Sequence, residues 1–235
     1  MRQNGVNLLW SALVAIIITL VFYLIIYQIH DNKLYDIMTQ RGFIQYITTF
    51  ATFWALTILA WKYFLLREEQ KAMYSINLLQ NEIIDEKNAR NILIEKIHSM
   101  GERERNRFIT KRVERALDRF VKSKSITEVD DALRDQASID ESIVAASYIP
   151  VQALIWGIPL LGFLGTVIGM SAAIGKFAQI VTGVGSIEAM KGLLSAVTKD
   201  LALAFDTTLV ALISSLIIMF FMSRLRQEEE YFLTE

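Results

Sequence analysis

The chain contains no cysteine. That one absence removes disulfide frameworks, thiolate metal centres, Fe–S clusters and cysteine nucleophiles, and it leaves the redox compartment open. Histidine is scarce: His30 and His98 stand alone, separated by an apolar span and a charged stretch. Neither a bis-histidine haem nor a zinc site is expected from them. Net charge is low as well, −1 at pH 7, which gives no general reason to expect nucleic acid or an acidic partner. There is no G-x-x-x-x-G-K-[ST], no H-E-x-x-H and no G-x-S-x-G, so neither ATP hydrolysis nor a familiar hydrolase is expected. The chain reads as a protein that is not an enzyme and has no resident cofactor, so any energy it uses comes from elsewhere.

Apolar side chains are what the chain has in excess. They make up 53% of 235 residues, against about 45–50% in soluble domains. A hydrocarbon core about 30 Å thick needs roughly 20 apolar residues in helix. Four stretches qualify: Leu8 to Gln28, Phe43 to Leu66 with Lys62 snorkelling near its end, Ile149 past Met170, and Leu201 to about Met222. The first apolar run is too long for a signal peptide and no small-residue cleavage site follows it, so it is expected to stay as an anchor. The fold class is therefore an all-α integral membrane protein with four transmembrane helices and a helical cytoplasmic region between the second and third. The corresponding divisions are 1–66, 67–147, 148–226 and a tail at 227–235.

Orientation follows from charge, because Lys and Arg are retained on the cytoplasmic side. Of the 24 Lys and Arg, 16 lie between Lys62 and Arg134, two in the C-terminal tail (Arg224, Arg226) and one at Arg2. The segment Arg67 to Ser147 and both termini are expected inside, and His30 to Gly42 outside. Within that segment Met73, Ile76, Leu79, Ile83, Ile84, Ile92, Leu93, Ile97 and Met100 recur at helical spacing and predict a long amphipathic helix. The charge-dense run Glu102 to Arg119 reads as a solvated helix face with Glu and Arg at i, i+3 or i+4, or as a docking surface for a cytoplasmic partner. Ser125-Ile-Thr-Glu128 and Ser138-Ile-Asp-Glu141 both fit a capping box and predict two helix starts.

Spans three and four differ in kind from the first two, whose bulky residues and scattered threonines suit lipid. Gly162, Gly165 and Gly169 are three and four apart, a flat stripe on which another helix can pack closely, and Thr166 lies beside it. Span four carries Ala204, Thr208, Ala211 and Ser215 at i, i+4, i+7 and i+11, a small, partly polar face suited to packing or to lining a watery path. Asp206, one step away, is the only acidic residue deep in any of the expected spans. A carboxylate there costs about 2.5–3.5 kcal/mol on insertion scales, which makes it a candidate for ion handling or partner binding; partial exposure at the outer interface is the alternative.

Leu161-Gly-Phe-Leu-Gly-Thr-Val-Ile-Gly169 resembles the L-G-x-x-G-T-V-x-G signature of the MotA/TolQ/ExbB proton-channel family, and Ala202-Leu-Ala-Phe-Asp-Thr-Thr208 with Ala211 is similar to its last helix. The likeness covers Ile158 to Arg226; the remainder matches in layout only. It implies a pentameric subunit of an ion-driven motor or stator in a bacterial inner membrane, surrounding two copies of a single-span MotB/TolR/ExbD-like partner with a membrane aspartate. The transported ion it implies is a proton, with sodium as the alternative. Thr166 and Thr208 would be the pore-facing threonines. The acidic residue that one branch carries five positions before the last-helix threonine is Leu203 here, with Asp206 as its replacement. Two spans ahead of the cytoplasmic region resemble the MotA layout. A non-conducting membrane scaffold and a subunit of a substrate transporter are the competing classes, and the work performed stays open among motility, envelope energisation, gliding and defence.

Overall fold

Long apolar runs without helix breakers become long helices. The computed structural model describes residues 7–29, 33–39, 42–82, 112, 119, 126–182 and 186–234. Its helices are α1 (Leu8–Gln28), α2 (Lys33–Thr39), α3 (Phe43–Glu82), α4 (Ile126–Ser147), α5 (Ile149–Val181) and α6 (Ile187–Thr234). No strand occurs among the described residues. Four helices are long and apolar enough to cross a membrane. Asn7 starts α1 by accepting the Leu9 amide on its side chain. Gly42, at φ +84°, supplies the left-handed turn ahead of α3.

The helices outrun the expected spans. α3 continues to Glu82, past Leu66, and α6 begins at Ile187, well before Leu201. The rest of the expected amphipathic helix beyond Glu82 lies outside the described residues, as does most of Glu102 to Arg119. α4 begins at Ile126, the edge of the described residues, and the first capping box, with Ser125 as its cap, lies outside them. The second box starts nothing: Ser138 is interior to α4, and Asp140 is buried there, accepting from Gln136 at 2.7 Å and pairing with Arg112 at 3.4 Å. The break comes instead at Tyr148, and Pro150 falls in the first turn of α5, where its missing N–H has no intrahelical partner to lose.

Two compact units emerge. The first comprises residues 1–60 and 149–224, the second residues 61–148 and 225–235. In the first unit, α1 turns Ser11, Ala15 and Thr19 inward. Trp54 donates to Ser11 (3.1 Å), Tyr23 donates to Thr49 (3.1 Å), and the Phe22 and Phe53 rings meet edge-on. Three threonines of the first two spans do not face lipid as expected: Thr19, Thr48 and Thr49 are buried, each donating to the carbonyl four residues back. Such bonds hide the hydroxyl hydrogen and make threonine acceptable in a packed helix face.

In the second unit Lys62 does not snorkel. It is 7% exposed, and its ammonium meets the Glu229 carboxylate at 3.0 and 3.2 Å and the Ser147 hydroxyl at 2.8 Å. It also stands 4.2 Å from the ring centroid of Tyr148, whose hydroxyl donates to Glu229 at 2.7 Å. A buried ammonium is tolerable only with its charge and donors matched, and this cluster matches them.

Candidate functional site

α5 and α6 form an antiparallel hairpin through the short connection 182–186, and glycine sets how closely they approach. A Cβ on Gly162 would sit 2.6 Å from that of Ala211; one on Gly165 would strike the Thr207 hydroxyl; one on Gly169 would lie 2.9 Å from both the Ala204 Cβ and the Asp200 carbonyl oxygen. Gly157, Gly175 and Gly192 have nothing within 4 Å of that position. The stripe expected to seat another helix therefore seats the chain's own α6.

Backbone polar groups complete the seam. Pro159 lies inside α5, so the carbonyl of Ile155, four residues earlier, loses its helical donor. Ser215 of α6 donates to that carbonyl at 2.8 Å. Thr208 donates to Gly162 O at 3.1 Å and to Ala204 O at 3.2 Å, sharing one hydrogen between the helices. Thr166, partly exposed at the edge of the seam, donates to Phe163 O at 2.6 Å. With their hydrogens committed to carbonyls, both threonine oxygens keep lone pairs that can only accept, which is the chemistry that coordinates a cation or a hydronium.

The structure sorts the expected residues. Gly162, Gly165, Gly169, Ala204, Ala211 and Ser215 come together in the seam, and Thr208 lies on its margin. Asp206 does not join them. Two residues from Ala204 is about 200° around a helix, so it sits on the side of α6 turned away from α5, half-exposed between Phe205 and Leu209. Sequence reasoning missed three residues. Thr207, 1% exposed, fills the space opposite Gly165. Asp200, four residues before Ala204 and on the same face, pairs with Lys176 of α5 at 2.7 Å. Opposite charges on the two arms of a hairpin, Lys176 before the connection and Asp200 after it, were the available signal.

A family model described as the MotA/TolQ/ExbB proton channel family matches residues 100–235, more than half of the chain. The chain belongs to this family. The match extends beyond Ile158 to Arg226 at both ends, so the family likeness takes in sequence ahead of α5 as well as the hairpin. No curated protein and no solved structure matches the chain. As a MotA/TolQ/ExbB member with four helices able to cross a membrane, it is a multi-pass, ion-channel-type motor subunit of a transport family rather than an enzymatic one.

Proposed function

We propose that this chain is the pore-forming subunit of an ion-driven motor: a homopentamer in a bacterial inner membrane with α5 and α6 innermost, around two copies of a single-span partner whose membrane aspartate carries the proton. N and C termini lie in the cytoplasm, as does the region between α3 and α5, in keeping with its load of Lys and Arg. The hairpin carries the reading. Its small residues are consumed in packing α5 on α6 within one chain, and two acceptor-only hydroxyls, Thr166 and Thr208, remain beside the seam. A scaffold that used the glycine stripe to join copies would need that stripe free.

Thr166→Val and Thr208→Val keep side-chain volume and remove the hydroxyl. Both are expected to abolish ion flux through membrane vesicles carrying the whole complex, and Asp206→Asn is expected to impair it, with pentamers still recovered by native mass spectrometry. Normal flux in all three variants at normal recovery would overturn the pore assignment, and a monomer or dimer with no larger crosslinked species would overturn the assembly. The native chain has no cysteine, so a single one placed at Ser123 reports topology: labelling from outside intact cells would reverse the orientation.

A further inference from the structure

Asp200 and Lys176 bridge α6 and α5 beyond the last glycine contact, at the end of the hairpin nearer the connection. The two partners differ in freedom. Asp200 is 17% exposed on a short side chain, on the seam face of α6, at the level where its own backbone oxygen closes on Gly169. Its Oδ2 is shut off from solvent, and the Lys176 ammonium is the only charge opposite it among the described residues. Lys176 is 38% exposed, on a four-carbon stem that can swing its ammonium into water. The carboxylate is the fixed member of the pair and the ammonium the releasable one. When Lys176 leaves, it uncovers a carboxylate that the packed hairpin holds in place and that water solvates poorly. Such a group draws in whatever small cation is nearest.

We propose that Asp200 is a cation-receiving site at the loop end of the α5–α6 hairpin, with Lys176 as its tethered competitor, so that the pair sets how readily a small monovalent cation reaches the ion path. Gly169 is part of the device, because only a residue without a side chain lets the Asp200 turn approach α5 this closely. The site is distinct from Asp206, which α6 turns the other way. This inference rests on the proposed conducting role.

The test is ion flux across vesicles made from membranes that carry the whole complex, with pentamer recovery measured alongside. Lys176→Met is expected to raise cation flux severalfold by removing the competitor. Asp200→Asn is expected to lower it by removing the site, so the two single variants move in opposite directions. Lys176→Arg, which keeps the charge and can hold the carboxylate through two N–H groups, is expected to lower flux with assembly intact, and it stays informative if either single variant fails to assemble. The exchanged pair, Lys176→Asp with Asp200→Lys, is expected to assemble like the wild type and to conduct like Asp200→Asn. A purely structural tether predicts otherwise: both single variants shift flux the same way and the exchanged pair restores it. Either of those results, or flux unchanged by Lys176→Arg, overturns the inference. Absence of flux in the wild-type complex itself would count against the conducting role, whereas normal wild-type flux with unaltered variants would count against this site alone.

Discussion

The hairpin seam and the Lys62 cluster solve the same problem by opposite means. Both hold helices together, and for the seam apolar surface alone is a poor guide, since lipid tails are as apolar as leucine. The seam does it with absence: glycines at 162, 165 and 169 let backbones approach, and single hydroxyls satisfy the carbonyls left over. The cluster does it with charge: one ammonium, one carboxylate, a phenol and a serine hydroxyl, closed on one another among buried side chains. Close packing distributes its energy over many weak contacts, so a single atom added in the wrong place matters. A buried ion pair concentrates its energy, so a single partner removed matters more.

That contrast predicts an order of effects. Removing Lys62 should be the most damaging change. Lys62→Met leaves the Glu229 carboxylate uncompensated, and loss of one partner of a buried pair costs about 3–5 kcal/mol, lessened by the residual exposure of Glu229, 18%. Thermal unfolding in detergent should show a large drop, much of it recovered by combining Lys62→Met with Glu229→Leu; a double variant no better than the single one would mean that the charges themselves are required.

Next comes overpacking of the seam. Gly162→Ala should cost about 1–3 kcal/mol because the new methyl meets Ala211 and the helices must part. Gly157→Ala, with open space at that position, should be neutral or stabilising by up to about 1 kcal/mol from helix propensity. Equal effects at both positions would remove close approach as the explanation.

Ser215→Ala should be smaller again, about 0.6–1.7 kcal/mol for one interhelical hydrogen bond in a membrane protein. It should become nearly neutral in a Pro159→Ala background, where Ile155 O regains its helical donor. The smallest effect belongs to the half-exposed Arg226–Glu230 pair of α6. Glu230→Gln should change stability by no more than about 0.5 kcal/mol, and less in high salt.

The sequence alone settled what depends on local pattern. Runs of apolar residues longer than a bilayer needs gave four helices able to cross it, and the glycine and threonine spacings of α5 with the small-residue face of α6 pointed to the family. What failed were judgements that needed a partner across space. The second box is locally as good as the first, yet its aspartate is taken by Gln136 and Arg112. Lys62 has the place of a snorkelling lysine, but its partner is 167 residues away.

Asp206 stood out because it lay within an expected span, while Asp200 fell one residue before the span's assumed start. Only the folded hairpin decides that Asp200 faces Lys176 and Gly169 while Asp206 faces away. Periodicity says which residues share a face of one helix; which face meets a neighbour, and which carboxylate finds a cation there, depends on the register of two helices brought together by their tertiary contacts.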